Sequence, residues 1–152
     1  MRSRVALLAA TLLLAGCATS GPTGSDLLSL RPKPGTARLV VYRTSPVGLL
    51  VQPDYVVDGR KAGSSQPGGF VVCDLAPGRH TVAAANIPIA MPLSNDPDSV
   101  TVSLRAGATT YLRAEPRMGI VMGSIGLLEV SEGQGRSDTA SLYRIESDCK
   151  GS

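Results

Sequence analysis

A chain of 152 residues has room for one domain with a modest core. The formal charge of +3 rests partly on Arg2 and Arg4; beyond residue 16, 13 basic side chains face 12 acidic ones. With four tyrosines, one phenylalanine, no tryptophan and no run of Lys or Arg beyond that point, composition speaks against a nucleic-acid partner.

The N-terminal stretch says most about location. Arg2 and Arg4 precede an uncharged run over residues 5–15, then Gly16 and Cys17. A basic head, a short apolar core and a small-residue exit describe a secretory signal. The run is too short to span a bilayer, which needs roughly 20 residues. Leu14-Ala15-Gly16-Cys17 resembles the bacterial lipobox, where a peptidase cuts before a diacylated cysteine. That resemblance implies a signal peptide over 1–16, lipid on Cys17 and membrane attachment through it. Ala18 and Thr19 follow, with no Asp just after the cysteine, so an outer-membrane position facing the periplasm is expected.

Residues 17–36 are rich in Gly, Pro, Ser and Thr and read as a flexible linker, with an r.m.s. reach of roughly 23 Å. Ser25 could cap a single helical turn there. A β-domain is expected over 37–146, followed by a tail over 147–152. Residues 37–44 form the first strand, with Leu39 and Val41 on one face and Val40 and Tyr42 on the other. Two apolar faces make it central. Residues 45–53 form a loop. Asp58-Gly59 predicts a tight hairpin within 55–63, because both turn positions tolerate φ > 0. Residues 68–75 form a strand, Pro77-Gly78 a type II turn, and residues 79–85 the returning strand.

After a proline-broken loop over 87–98, residues 98–106 alternate cleanly, with Val100, Val102 and Leu104 inward. Gly107-Ala108 then predicts a second antiparallel hairpin into 109–115. Residues 127–131 are a further candidate strand, broken by Gly133 to Gly135. Residues 139–146 fit a short helix or an edge strand, between which periodicity does not choose. The expected architecture is all-β: a small antiparallel sandwich of about six or seven strands.

The order of Val56-Val57-Asp58-Gly59, a strand, and Leu75-Ala76-Pro77-Gly78-Arg79-His80-Thr81-Val82 resembles PEGA-like units. It also resembles an uncharacterised bacterial lipoprotein family carrying one such unit behind a lipobox. Tyr42-Arg43 before it, and Ala106-Gly107 with Tyr111 after it, match that family as well. The resemblance spans residues 38–113 and implies a prealbumin-like sandwich. It implies no activity and no cofactor.

Chemistry-bearing residues are sparse. Cys73 and Cys149 form an even pair once Cys17 carries lipid, suited to a disulfide in an oxidising compartment; the alternative is a buried free Cys73 and a loose Cys149. His80, the single histidine, reads as a surface strand residue. Gly123-Ser124-Ile125-Gly126 lacks the G-x-S-x-G spacing of a nucleophile elbow. The oxygen-rich run at 95–99 lacks the glycine and distal glutamate of a calcium loop.

Two functions remain: a non-catalytic, membrane-tethered envelope domain with a protein partner, or a small periplasmic hydrolase or metal-dependent enzyme using His80, Asp96 and Asp98. For a partner-facing surface the candidates are Ile89, Met91, Ile120 and Met122, in irregular apolar segments rich in methionine. The alternative is that these residues fold back and cap the core. The oligomeric state is not fixed by the sequence.

Overall fold

The computed structural model describes residues 22–47, 52–85, 98–117 and 124–149. Strand β1, Ala37–Arg43, is buried along its whole length, as its two apolar faces require. It sits mid-sheet because both its neighbours bury it. On one side lies β4, Gly69–Leu75, antiparallel, with Leu39 opposite Cys73 and Val41 opposite Val71. On the other lies β7, Thr109–Arg117, parallel, with Val40 opposite Tyr111. Beyond β7 comes β8, Ser124–Val130, and beyond β4 a two-residue strand β9, Tyr143–Arg144, which closes a five-stranded sheet.

A second sheet covers one face of the first. It holds β2, Asp54–Val57; β3, Arg60–Ser64; β5, Gly78–Ala85; and β6, Asp98–Leu104, in the order β3-β2-β5-β6. The β2–β3 hairpin turns at Asp58 and Gly59, with φ of 49° and 78°, the double positive φ that Asp-Gly supplies. Between the sheets pack Leu39, Val41, Val71, Val82, Val102 and Leu112. Each such fully buried aliphatic side chain stabilises by about 1.5–3 kcal/mol relative to exposure.

The other face of the five-stranded sheet is covered by α1, Gly24–Leu27, and α2, Glu132–Thr139. Val40, Tyr42, Phe70 and Tyr111 pack there with Leu28 and Leu142. The helices meet end to end. Gly24 N–H donates to Leu142 O at 3.0 Å and Ser25 N–H to Ala140 O at 3.2 Å, so donors orphaned at one helix start satisfy carbonyls just past the other helix end.

The all-β sandwich expected from alternation is the fold, with nine strands among the described residues. Four local expectations change. Gly107 does not turn a hairpin. Its N–H donates to Thr36 O at 2.8 Å and Arg38 N–H to Ala108 O at 2.9 Å, so the chain crosses from β6 in one sheet to β7 in the other. Alternation assigns a side chain to a face; it does not say which sheet the strand joins. The five-stranded sheet is therefore mixed, with β1–β7 and β4–β9 parallel. The turn at Pro77-Gly78 is likewise a crossing: Gly78 has φ of 143°, far from the type II value, and β5 pairs with β2 and β6.

The remaining two changes concern the chain's two ends. Residues 22–30, read as linker, lie on the domain. Their helical turn starts at Thr23, whose N–H and hydroxyl donate to Asp26 Oδ2 at 3.0 and 2.8 Å, and not at Ser25. The bidentate Arg38–Asp74 pair (2.8 and 3.1 Å) holds a guanidinium that also donates to Leu30 O at 2.8 Å, fixing this segment to the sheet. Asp74 is partly desolvated, which alone would raise its pKa; the Arg38 hydrogen bonds and charge hold it below the usual carboxylate value. At the other end, residues 139–146 contain only the last residue of α2, Thr139, and then the short β9 at the sheet edge, so of the two alternatives it is the edge strand that forms, over two residues.

Candidate functional site

Cys73 and Cys149 are joined, with Cα atoms 5.3 Å apart, inside the range a disulfide requires. Strand β4 carries Cys73 inward; Cys149 arrives on a strap that runs along β4 from β9. Ile145 N–H donates to Phe70 O at 2.8 Å, Ser147 Oγ–H to Val72 O at 3.1 Å, and Asp148 N–H to Ala62 O on β3 at 3.2 Å. The strap thus bridges the two sheets at their open side. A closed loop of 76 residues contributes about 4.5 kcal/mol in the chain-entropy account, before any strain in the folded state is subtracted.

Beside the disulfide lies a cleft of about 350 Å³, lined by Val57, Asp58, Arg60, Lys61, Asp148 and Cys149 among others. Two of its charged groups are engaged. Lys61 pairs with Asp54 at 2.9 Å, and Asp58 with His80 at 2.6 Å. His80 is not the surface residue expected. It shares the strand face of Val82 and Ala84 and is only 9% exposed. That parity was readable, since Arg79-His80-Thr81-Val82-Ala83-Ala84 alternates with His80 on the apolar side.

The ring of His80 is held at both nitrogens: Nδ1 by Asp58 Oδ2, and Nε2 by Ala76 O at 2.8 Å. Both partners are acceptors, so both nitrogens donate and the imidazolium fits the site. Burial alone would lower the histidine's pKa. The Asp58 hydrogen bond, the Ala76 carbonyl and the Asp58 charge outweigh it and raise the pKa above the ordinary value. Asp58 is shifted the other way: partial burial pushes up, but hydrogen bonds from His80 and Thr81 N–H (2.9 Å) and the His80 charge hold it low. A histidine with both nitrogens donating has no lone pair with which to act as a base.

The enzyme alternative needs His80 and Asp98 together. The β5–β6 register sets Asp98 opposite Ala84, four residues from His80. At about 3.3 Å per residue the two lie roughly 13 Å apart along the strand. Asp96 lies outside the described residues, as do Cys17, Ile89, Met91, Ile120 and Met122. Among the described residues no three His, Cys, Asp or Glu side chains form a cluster able to hold a metal ion.

The flanks of those undescribed segments are informative. Arg43 pairs with Gly69, and Gly69 with Tyr143. Arg43 Nη1–H donates to Ser65 O at 3.3 Å, while Ser65 N–H donates to Pro53 O at 2.8 Å. Asp54 pairs with Ala85, Ala84 with Asp98, and Arg117 with Ser124. All these strand ends lie at one end of the sandwich. The crossings at Pro77 and Gly107, the Asp58 turn and the histidine lie at the other.

Arg43, missed from the sequence as a structural residue, organises the first end. Fully buried, it donates to the carbonyls of Ser45, Val47 and Ser65. Desolvation pulls its pKa down, and the neighbouring Tyr55 pushes it back up. Tyr55 donates its hydroxyl to Ser65 Oγ at 2.9 Å, and burial raises its own pKa to about 12. An arginine at an inward strand position, ending an apolar run, was the available signal.

Residues 33–126 match the family described as protein of unknown function DUF2846, more than half of the chain. The chain belongs to this family. An uncharacterised protein of Haemophilus influenzae is 24% identical over 147 residues, covering 92% of this chain and 82% of its own. A comparison with solved structures finds no match.

Proposed function

We propose that this family member is a bacterial envelope lipoprotein, cut before Cys17, acylated there, and held at the outer membrane with a non-catalytic β-domain in the periplasm. The observation that carries this reading is the Leu14-Ala15-Gly16-Cys17 ending behind a basic head and an apolar run. The Cys73–Cys149 bond supports it, because such bonds persist in oxidising compartments. Two or three acyl chains give stable attachment where one gives only a marginal hold. No helix among the described residues is long and apolar enough to cross a membrane.

The non-catalytic part of the reading draws on His80. Its ring is engaged at both nitrogens and sits far along β5 from the position opposite Asp98. The domain's role is then binding or structural, with a protein of the envelope as partner. Cell fractionation with fatty-acid labelling tests the anchor. The wild-type chain should take up label and sediment with membranes after a high-salt wash, and Cys17→Ser should do neither. A Cys17→Ser protein that still sediments and labels would overturn the reading.

A further inference from the structure

We propose that a second cleft, on the outer face of the five-stranded sheet, binds a phosphate group through Arg31, Arg136 and the hydroxyls of Thr109 and Tyr111. The cleft measures about 160 Å³. It lies between residues 29–32, just past α1, residues 107–109 at the start of β7, and Glu132 and Arg136 of α2. Pockets for whole small molecules run to roughly 300–1,000 Å³, so this one suits a single ionic group.

Strand parity brings these residues together. In the parallel β1–β7 pair, Arg38 is opposite Thr109 and Val40 opposite Tyr111. Val40 and Tyr111 pack on the outer face, and Arg38 and Thr109, two positions earlier on each strand, share that face. Arg38 supports the segment past α1 from below, donating to Leu30 O at 2.8 Å. Above, α2 lays Gly135 on the Tyr111 ring. Glu132 and Arg136, one helical turn apart, share a side of α2, and Arg136 Nε–H and Nη2–H donate to Glu132 Oε1 at 3.0 and 2.9 Å.

Several donors around the cleft are already engaged. Gly107 N–H donates to Thr36 O, Ala108 N–H to Arg105 O and Ser29 Oγ–H to Asp26 O. The groups left to meet a ligand are cationic or hydroxylic. Arg31 is exposed and makes no ion pair among the described residues. Glu132 takes two of the five N–H donors of Arg136. Two guanidiniums against one carboxylate leave the cleft one positive charge in excess.

Tyr111 points to a ligand. Its side chain is 1% exposed, and its hydroxyl is buried without a hydrogen-bond partner among the described residues. Burial raises the pKa of the phenol, so it stays protonated and able to donate; the charges that act on it belong to Arg136, Glu132 and Arg38. The hydroxyl is therefore aimed at the wall that Glu132 and Arg136 give the cleft. A buried hydroxyl with no partner is destabilising, and an acceptor in the cleft relieves that. Phosphate fits better than a carboxylate. Its tetrahedral oxygens can meet donors arriving from separate elements, and an arginine fork matches two of them at once.

The test is thermal melting of the full chain in a maltoside detergent, with inorganic phosphate titrated against chloride at constant ionic strength. A ligand that binds only the folded state raises the melting temperature, by a few degrees at about ten times its dissociation constant. The wild type should show that rise. Arg31→Gln should lose most of it, and Arg60→Gln, at an exposed arginine of β3, should keep it. Tyr111→Phe separates the site from the fold. In chloride it should melt at or above the wild type, because the unpaired hydroxyl is gone; in phosphate it should fall below. A Tyr111→Phe protein that melts lower by the same margin in both solutions overturns the site, since the hydroxyl then contributes without the anion. An equal rise in every variant, or no rise over chloride, overturns it as well. Acetate should do less, and a rise that matches phosphate overturns the assignment to phosphate. A last arm replaces inorganic phosphate by glycerol phosphate: a larger rise supports an esterified phosphate such as a lipid headgroup carries, and a smaller one supports the free ion.

Discussion

The two faces of the five-stranded sheet are buried by different means. The inner face meets another sheet, and the contact is made by side chains of Leu, Val, Ala and Ile at alternating positions. The outer face meets two short helices, and there backbone comes close enough that glycine is needed. A Cβ at Gly135 would sit 2.2 Å from the Tyr111 ring, and one at Gly24 would sit 2.0 Å from Thr139 O. Polar groups hold the rest: Tyr42 donates its hydroxyl to Asp138 Oδ2 at 2.7 Å, and Gln134 Nε2–H donates to Asp138 Oδ1 at 2.6 Å. One face is a side-chain core; the other is a set of close fits beneath a thin cover.

The largest expected effect separates the faces by how far each can relax. Leu112 is fully buried between the sheets, with strands fixed on both sides. Leu112→Ala should cost about 2–5 kcal/mol, because a cavity there cannot collapse. Leu28 is buried too, just past a four-residue helix. The same truncation there should cost less, since a short segment can settle into the space. Urea denaturation of both variants checks the order; a larger loss for Leu28→Ala would break the comparison.

A middle-sized effect comes from two glycines of α2. In an ordinary helix, Gly→Ala stabilises by about 1 kcal/mol. Gly133 has nothing within 4 Å of a Cβ and should behave that way. At Gly135 the Tyr111 ring stands in the way, and overpacking typically costs about 1–3 kcal/mol, so the sign should reverse. Thermal melts that rise for Gly133→Ala and fall for Gly135→Ala support the close-fit account. A rise for both shows that Tyr111 can move aside and the outer face is no tighter than any other helix contact.

The same contrast explains what could be read from the sequence. Alternation in Val100, Val102 and Leu104, and the double apolar face of β1, are local signals with a period of two, and they located the inner core. The Asp58-Gly59 turn was legible because its backbone needs those residues. Helix α2, Glu-Gly-Gln-Gly-Arg-Ser-Asp-Thr, was not, because two glycines in eight residues oppose helix formation. It forms through Ser131, whose hydroxyl accepts from Gln134 N–H at 3.3 Å, the Glu132–Arg136 pair and the Tyr111 contact, and only the first two are local. Sheet membership of β6 and β7 was hidden for a related reason: the hydrogen bonds that decide it come from Thr36 and Arg38, some 70 positions away. Of the candidate site, the cysteine pair was legible by count and compartment. The His80 clamp was readable in its inward face and unreadable in its partner, since Asp58 reaches it across strands.

The smallest effect concerns that clamp, a place on the facing sheet where the core between the sheets turns polar. His80 has a raised pKa in the folded chain, so its contribution is complete below the unfolded value near 6.5 and is lost as pH rises through the folded one. Asp58 has a lowered pKa, so its contribution is complete above an unfolded value near 3.9 and is lost as pH falls through the folded one. The pair should therefore stabilise most between about pH 4 and 6.5. Its size should be about 1 kcal/mol or less, because Asp58 is about half exposed and solvent screens the attraction. Replacing His80→Asn removes the charge while keeping a polar group at the site. Urea midpoints of the two proteins, subtracted at each pH, cancel the titrations they share. The wild-type advantage should shrink between pH 5.5 and pH 9. An advantage that stays level or grows means that the ring works as packing between the sheets, and that the core holds its edge there without charge.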